Sequence, residues 1–338
     1  MGRTDARLDE LDRRIVAALQ MDGRASWTAI AEQVGTSVPT VARRAQQLMA
    51  EDIVRVAVVP DINHAGPADL FILSITCDPG MASEVAEKLG AREDIRFLAL
   101  VTGGADIVAE LNTRKSESLQ ARLIDEVQAI DGVRRCETDL VFHQYKVAHD
   151  WSRQLLTGED YVAPTDDPHP CDPRHFDETD RAMLALMQDD GRAGFRSVAE
   201  LLGINESTVR RRFETLLARG CITVVTLVPA AALGFESELL FVITVAPNRL
   251  DAVARRLVTY RGVRYVAATL GSSSLMCEVI LPTTRDLFGF VTTVLAELDG
   301  VQGWTAGMEL MTYKRGFVRT VPERCEDERA REGTTSTG

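Results

Sequence analysis

The sequence predicts an α+β fold that is a tandem duplication of a winged helix-turn-helix followed by a ferredoxin-like βαββαβ domain. The first observation behind this prediction is an ungapped internal repeat, in which Arg24 recurs 168 residues later as Arg192. The second is a change of hydrophobic period within each repeat, from helical spacing to alternating strands and helices. Together they indicate two units of one kind in a chain of 338 residues.

The repeat is clearest at the start of each unit. Residues 8–66 begin LDELDRRIVAALQMDGRA, and residues 176–234 begin FDETDRAMLALMQDDGRA. Identical residues recur at the same offset of 168 positions without gaps, more often than chance would give. The predicted domains are a helix-turn-helix at 1–60, a ferredoxin-like effector and oligomerisation domain at 66–150, a Pro- and Asp-rich linker at 151–175, a second helix-turn-helix at 176–229, a second ferredoxin-like domain at 235–320 and a disordered tail at 321–338.

Three helices are predicted at the start of each unit. The first lies between Asp9, a suitable N-cap, and Gly23, a suitable stop. The second covers Trp27 to Val34, and the third begins after Ser37, with Asn205 as the matching cap in the second unit. A tight turn between the last two helices is typical of a helix-turn-helix, and the β-branched runs that follow predict a wing.

The second part of each unit alternates between strands and helices. Strand-like runs and helical runs follow one another in the order βαββαβ, which is the ferredoxin-like pattern. In the first unit they are Leu70–Cys77, Met81–Leu89, Arg96–Val101, Asp106–Leu111, Ser116–Ile130 and Val133–Val147. In the second unit the same order is predicted at Leu239–Val245, Leu250–Thr259, Val263–Leu270, Leu275–Leu281, Arg285–Leu298 and Val301–Tyr313.

Net charge, hydrophobic runs and cysteine content exclude several classes of protein. The net charge of −12 argues against indiscriminate nucleic-acid binding but allows local basic patches. No apolar run reaches the ~18 residues needed to span a membrane, and the charged N-terminal stretch lacks the apolar region of a signal peptide. The 6 cysteines are scattered, which indicates reduced thiols and a cytoplasmic location.

The motifs of both units resemble the Lrp/AsnC family of bacterial transcriptional regulators. The residues that carry the resemblance are D-x-x-D-R from Asp9, D-G-R-A from Asp22, V-x-x-R-x-x-x-L from Val41 and G-x-x-D from Gly103. The resemblance implies a DNA-binding regulator whose second domain pairs with another copy and binds an amino acid or similar effector near the G-x-x-D loop. Family members usually carry one unit per chain, and this chain carries two.

The third helix of each unit resembles a recognition helix, so double-stranded DNA is the expected partner. The candidate DNA-binding residues are Ser37, Pro39, Thr40, Arg43, Arg44 and Gln47 in the first unit and Asn205, Ser207, Thr208, Arg210, Arg211 and Arg212 in the second. The two helices differ where they would read bases, which predicts an asymmetric DNA site with unlike halves. Alternatively, Arg44 and Arg212 brace the fold or touch phosphate, and like heads pair across two chains.

The effector site is predicted at the loop between the two central strands of each ferredoxin-like domain. The candidate residues are Thr102, Gly103, Gly104 and Asp106, together with Gly271, Ser272, Ser273 and Ser274. Glycine permits close backbone approach, and a carboxylate can pair with an α-ammonium group. The second loop lacks the acid, so the two sites are not expected to be equivalent. An ordinary hairpin turn remains an alternative reading.

An enzyme on the same architecture is the competing hypothesis. Siroheme decarboxylases share the two-unit order and rely on His and Arg clusters in the second domain, whereas the strands beginning at Leu70 and Leu239 carry neither. The chain is therefore expected not to be an enzyme and to have no catalytic residues, cofactor or metal. Metal binding by His169, Cys171 and His175 in the linker matches no strong motif. A homo-oligomer, a dimer or a tetramer of chains, is expected.

Overall fold

The computed structural model describes residues 8–61, 68–114, 118–152 and 176–320. The linker cluster of His169, Cys171 and His175 and the tail from residue 321 lie outside the described residues. No helix among the described residues is long and apolar enough to cross a membrane.

Each unit begins with three short helices and one strand, as the repeat predicts. In the first unit these are α1 (Glu10–Met21), α2 (Trp27–Val34), α3 (Val38–Ala50) and β1 (Arg55–Pro60). The corresponding elements of the second unit are α6 (Glu178–Asp189), α7 (Phe195–Leu202), α8 (Glu206–Ala218) and β6 (Ile222–Leu227). The helix-turn-helix prediction is confirmed in both units.

Local capping explains where these helices begin. The Asp9 side chain accepts a hydrogen bond from the Asp12 N–H, and Ser37 accepts one from the Thr40 N–H, so both predicted caps are confirmed. Asn205 occupies the N-cap of α8, but its side chain makes no capping bond. Helix α1 ends at Met21 with Asp22 as its C-cap, directly before the predicted stop at Gly23. A Cβ at Gly23 would crowd two valines of β1 and β6.

A two-stranded antiparallel sheet joins the two helix-turn-helix units. Strand β1 pairs with β6 over their whole length, from Arg55 opposite Leu227 to Pro60 opposite Ile222. Each strand follows the third helix of its own unit and pairs with the strand of the other. The third helices of the two units, α3 and α8, are therefore held in one body, called here the helix-turn-helix pair.

The remaining strands form one barrel. In the first unit the elements are β2 (Ala68–Cys77), α4 (Ala82–Gly90), β3 (Ile95–Val101), β4 (Ile107–Arg114), a helix with π-type turns, α5 (Ala121–Gln128), and β5 (Val133–Val147). In the second they are β7 (Ser237–Val245), α9 (Leu250–Leu257), β8 (Val263–Leu270), β9 (Leu275–Leu281), α10 (Thr284–Gly289) and β10 (Val301–Arg315), followed by the short β11 (Val318–Arg319). The predicted α+β fold class is thereby confirmed.

The long last strand of each unit closes the barrel. Strand β5 pairs with β2 of its own unit through its first part and with β8 of the other unit through its last part. Strand β10 likewise pairs with β7 and then with β3. These exchanges complete a ring of eight strands, β10-β3-β4-β2-β5-β8-β9-β7, in which β7 returns to β10.

The helices cover the outside of the barrel, and a mixed set of side chains fills its inside. Apolar cores lie between the helices and the sheet in each unit. A smaller apolar cluster, which includes Phe97, Val108, Tyr265 and Met276, lies between the two units. The helix predicted over 285–298 is interrupted, because regular helix ends at Gly289 and tighter and wider turns follow.

Candidate functional site

The outer faces of α3 and α8 present the candidate DNA-binding residues to solvent. Ser37, Pro39, Arg43 and Gln47 are exposed on α3, and Thr40 is partly buried beside the Ser37 hydroxyl. Asn205, Ser207, Arg210 and Arg211 are exposed on α8, and Thr208 is partly buried. The inner faces are held by Val41, Leu48, Val209 and Phe213, which are buried in the helical cores.

Arg44 and Arg212 are bound to the first helix of their own unit. Arg44 Nη1 lies 2.5 Å from Asp9 Oδ2 and 2.9 Å from Asp12 Oδ1. Arg212 Nη1 repeats this at 2.7 Å from Asp177 and 3.0 Å from Asp180. The pKa of Asp9 lies below its ordinary value, first because the Asp12 N–H donates to it and then because Arg44 does. The geometry favours the alternative that these two arginines brace the fold.

Arg43 and Arg211 remain available at the helix surfaces. Within the described part of the chain neither side chain has a hydrogen bond or ion pair. Arg210 differs, since its Nη2 lies 2.7 Å from Glu206 Oε1 and its guanidinium stacks 4.9 Å from the Phe195 ring centroid. Arg43 and Arg211 occupy equivalent repeat positions and are best placed to reach a base edge or phosphate.

The two D-G-R-A turns exchange arginines across the helix-turn-helix pair. Arg24 donates to the carbonyls of Gly191 and Ala193 at 2.5 and 3.1 Å. Arg192 donates to the carbonyls of Gly23 and Ala25 at 2.5 and 2.9 Å. Each guanidinium also lies over an aromatic ring of the opposite unit, Phe195 at 4.6 Å and Trp27 at 3.9 Å. These reciprocal contacts join the two helix-turn-helix units to each other.

Both predicted effector loops line one cleft at an end of the barrel. This loop cleft is bordered by Thr102 and Gly104 from the first loop and by Ser272 and Ser273 from the second. It encloses about 800 Å³, open solvent included. No arginine, lysine or histidine is among the described residues that line it. The structure therefore brings the two loops together, with acidic rather than basic surroundings.

The acid of the first loop already has a backbone partner. Asp106 Oδ2 accepts a hydrogen bond from the Cys77 N–H at 2.7 Å, and its own N–H donates to the Ile75 carbonyl. Gly103 has a φ of +102°, a conformation that favours glycine. In the second loop, Ser274 Oγ instead accepts from the Val245 N–H at 3.1 Å. The loops thus share a backbone path and differ in chemistry.

A second cleft lies between the barrel and the helix-turn-helix pair. This arginine cleft is lined by Arg96, Arg264 and Arg315, by His149 and Trp151, and by Thr226 to Val228 of the second unit. The space between these residues is about 680 Å³ when open solvent is included. None of these residues was a candidate from the sequence.

The arginines of this cleft are paired with buried glutamates. Arg264 contacts Glu278 and lies 2.8 Å from Glu238. Arg315 lies 3.0 Å from both Glu278 and Glu309. Burial, followed by the charge of Glu278, raises the pKa of Glu309 well above its ordinary value, while Arg264 and Arg315 hold the pKa of Glu278 low against its own burial. The network is thus close to neutral.

His149 faces the cleft from the segment after β5. The imidazole is partly exposed to this space, and its desolvation by the surrounding protein lowers its pKa from 6.5 to about 4. The nearby Arg96, Arg315 and Arg264 add to that effect. His149 is therefore neutral at pH 7, the form that accepts a proton or binds a metal.

Three glutamates are close enough to suggest a cation site. Among the described residues, one group of carboxylates has oxygen atoms close enough together to hold a metal ion, and it consists of Glu238, Glu278 and Glu309. Arg264 and Arg315 already donate to them. A cation there would face two guanidinium groups, so the arrangement reads as an ion network.

The internal repeat contains a pattern from which the arginines and glutamates of this cleft could have been predicted. Arg96 and Arg264 are equivalent positions, as are Glu110 and Glu278, and both pairs interrupt apolar strands. Arg96 contacts Glu110 as Arg264 contacts Glu278. A charged pair that recurs inside two otherwise apolar strands predicts a buried ion pair facing the interior.

Family comparison covers all four domains. The AsnC-type helix-turn-helix domain matches residues 8–49 and 176–217, and the Lrp/AsnC ligand binding domain matches residues 70–150 and 239–318. An uncharacterized HTH-type transcriptional regulator of Pyrococcus furiosus is 32% identical over 135 residues, which are 40% of this chain and 91% of the relative. The HTH-type transcriptional regulator FL11 of Pyrococcus abyssi is 30% identical over 140 residues, 41% of this chain and 92% of FL11.

A solved structure shares the whole two-unit arrangement. The siroheme decarboxylase NirDL, in complex with an iron-uroporphyrin III analogue, is 13% identical, with a TM-score of 0.60 over 92% of this chain and 94% of NirDL. This likeness concerns the fold, and it contradicts the expectation that the chain is not an enzyme. That expectation rested on the strands beginning at Leu70 and Leu239, whereas the arginines lie on β3, β8 and β10.

Proposed function

The chain belongs to the Lrp/AsnC family of transcriptional regulators, and from that premise we propose that it reads an asymmetric DNA site with two unlike recognition helices of one chain. The supporting observation is the β1–β6 sheet with its exchanged arginines, which holds α3 and α8 in a single body. A homodimer presents identical helices and prefers palindromes. Here Ala42 corresponds to Arg210 and Pro39 to Ser207, so the halves differ.

The test is selection of DNA duplexes from a random library by the full chain. Wild type is compared with Arg43→Ala and Arg211→Ala, and Arg134→Ala, an exposed arginine on the barrel, is the matched control. We expect a motif with two unlike halves about one helical turn apart, each weakened by one variant. Affinity should fall steeply with salt, because phosphate contacts release counterions. A palindromic optimum that both variants weaken equally would overturn the proposal.

We further propose that a small molecule with an ammonium group, such as an amino acid, binds in the loop cleft. The support is the acidic lining by Glu137 and Asp139, and Asp106 follows directly after Ala105, which also lines the cleft. Melting temperature and DNA affinity are measured with each of the twenty L-amino acids. A responding amino acid should lose its effect in Asp106→Asn and keep it in Asp299→Asn, an exposed acid on the barrel. A response that is equal in both variants would contradict this site.

A second candidate function is a reaction on a tetrapyrrole, as in siroheme decarboxylase. The arginine cleft supports it, because guanidinium groups bind carboxylates and the neutral His149 imidazole can ligate a metal. The full chain is titrated with iron-uroporphyrin III, and the visible absorption band is followed. A saturable band shift that is absent in His149→Phe and kept in His143→Phe, an exposed histidine, would support this candidate. An unchanged spectrum would remove it.

Assembly of chains is proposed to use the outer faces of β5 and β10. Phe142, Trp304, Leu310 and Met311 are exposed there, with Trp304 44% and Phe142 55% accessible. Large apolar side chains on long strands favour burial against a further copy. Light scattering of the full chain, compared with Phe142→Ser, tests this, and a monomer in both samples would contradict it.

A further inference from the structure

The two loops of the loop cleft face different residues at equivalent positions. Each loop lies against the long strand of the other unit. The first loop meets Gly307 of β10, and the second, from Gly271 to Ser274, meets Asp139 of β5. Gly307 and Asp139 are separated by the repeat offset, so they are counterparts.

Asp139 is held by the second loop as a bound carboxylate would be. Its Oδ1 accepts a hydrogen bond from the Ser272 N–H at 2.9 Å. Its Oδ2 accepts from the hydroxyl groups of Ser272 and Ser273 at 2.9 and 3.3 Å. Only 9% of Asp139 is exposed, and within the described part of the chain no cation pairs with it. Three neutral donors therefore bind this charge.

Glycine makes room for the carboxylate in the second loop. A Cβ built at Gly271 would overlap Asp139 Oδ1, so any larger residue would expel the Asp139 side chain. In the first loop the sterics are reversed, because a Cβ at Gly307 would overlap the Thr102 carbonyl oxygen. An aspartate cannot be placed opposite the first loop without moving its backbone.

The first loop consequently keeps its corresponding donor open. Gly104 corresponds to Ser272, is exposed, and a Cβ built on it would meet no atom within 4 Å. Its N–H has no acceptor within the described part of the chain. Among the described residues, the N–H that binds a carboxylate in the second loop is thus without an acceptor in the first loop, at a residue that lines the loop cleft.

We propose that Asp139 is a built-in carboxylate ligand of the second loop, so that each chain has one self-occupied carboxylate site and one open site at the first loop. The occupancy of the second loop stands on geometry alone. Its consequence, that an effector carboxylate binds once per chain and at Gly104, rests on the proposed function. The second loop acts as a permanently liganded copy beside a responsive one.

The experiment is chemical rescue of Asp139→Ala by acetate. Removing the side chain leaves the Ser272 and Ser273 donors unsatisfied in a space of carboxylate size. Melting temperatures of the full chain are recorded at pH 7 in sodium acetate and in sodium chloride at equal ionic strength. We expect acetate to raise the melting temperature of Asp139→Ala saturably, by about 2–4 °C, and to leave wild type unchanged.

Two further variants make the result decisive. Asp139→Asn fills the space and still accepts hydrogen bonds, so it should fold without responding to acetate. Asp78→Ala, which loses an exposed carboxylate paired with Arg134, controls for general acetate effects. If Asp139→Ala does not fold in chloride, its refolding yield in acetate becomes the readout, and recovery supports the proposal.

An acetate response that is absent from Asp139→Ala, or equal in Asp78→Ala, would overturn the proposal. So would failure of acetate to recover an unfolded Asp139→Ala while Asp139→Asn folds. These measurements use neither DNA nor an effector. Their failure is therefore distinct from failure of the regulator proposal, which the DNA selection tests separately.

Discussion

The helix-turn-helix pair and the barrel were built from the same two copies, but their contacts differ in symmetry. In the helix-turn-helix pair, Arg24 and Arg192 make matching contacts with the opposite turn. In the barrel, Asp139 corresponds to Gly307 and His149 to Phe317, so equivalent places hold unlike chemistry. The comparison teaches that the duplication kept the contacts that set the helix spacing and differentiated the interior surfaces that border the clefts.

The largest expected effect tests the asymmetric interior. Arg264→Met leaves Glu238 and Glu278 with one guanidinium fewer, and removing one partner of a buried pair costs about 4 kcal/mol. Arg96→Met should cost less, because Arg96 contacts a single glutamate, Glu110. The free energy of unfolding is measured by urea denaturation.

Arg134→Met is the control for these two variants. Arg134 and its partner Asp78 are both more than half exposed, and an exposed pair contributes about 0–1 kcal/mol. Equal losses for Arg264→Met and Arg96→Met would show that the two ion networks act as symmetric copies, against the comparison drawn above.

The next effect is a pH dependence that belongs to one unit. His149 has a pKa of about 4 in the folded chain, against 6.5 as its ordinary value. Between these values only the unfolded chain binds the proton, so stability is complete above about pH 6.5 and falls as the pH is lowered toward 4. The loss amounts to about 3 kcal/mol.

His149→Phe places in the first unit the residue that the second unit carries as Phe317. The difference between wild type and this variant in unfolding free energy, measured from pH 7 to pH 4, isolates the histidine contribution from that of the carboxylates. We expect the variant to lose the slope between pH 6.5 and 4. A slope identical to wild type would mean that the folded protein does not desolvate the His149 imidazole.

The sequence predicted the parts of this molecule that depend on local pattern. Ser37 and Asp9 were identified as caps because capping is decided within four residues. The bounds of β5, Val133–Val147, were also predicted correctly. The closed barrel and the β1–β6 pairing were not predicted, since they join residues more than a hundred positions apart.

The candidate sites, too, could be predicted only where a local sequence motif marks them. The recognition helices and the two loops follow from motifs. The role of Asp139 does not, because it depends on which strand faces Gly271, and the arginine cleft was missed because charged residues inside strands were not paired across the repeat. Knowing that two units exist did not reveal which surfaces they share.

The third prediction tests the symmetric region. Arg24→Ala and Arg192→Ala each remove two hydrogen bonds from a charged group and a contact with an aromatic ring. Each side chain is only half-buried, so we expect each substitution to cost about 2 kcal/mol. The two losses should agree closely, and unequal losses would break the symmetry inferred for the helix-turn-helix pair.

The matched control for this pair is Arg196→Ala. Arg196 is on α7 and pairs with Glu200 at the surface, where its side chain is 83% exposed, so its removal should be nearly neutral. Urea unfolding is followed by tryptophan fluorescence in variants that also carry Trp151→Phe and Trp304→Phe, so that the signal comes from Trp27, which lies under Arg192. Loss of the Arg192 contact should change that signal before global unfolding, whereas Arg24→Ala should leave it.

The smallest effect concerns the braces of the recognition helices. Arg44→Gln and Arg212→Gln each break one ion pair with a half-exposed acid, Asp9 or Asp177, and one with a more buried acid, Asp12 or Asp180. Since both arginines are partly exposed and glutamine can still donate a hydrogen bond, the expected cost is about 1 kcal/mol each. Because these arginines orient α3 and α8 and are not aimed at bases, the selected DNA motif should keep both halves while overall affinity falls. Arg44→Gln and Arg43→Ala are compared in the same selection. If Arg44→Gln lost one half-site, Arg44 would be a residue that contacts bases, and its ion pairs with Asp9 and Asp12 would exist only in the protein without DNA.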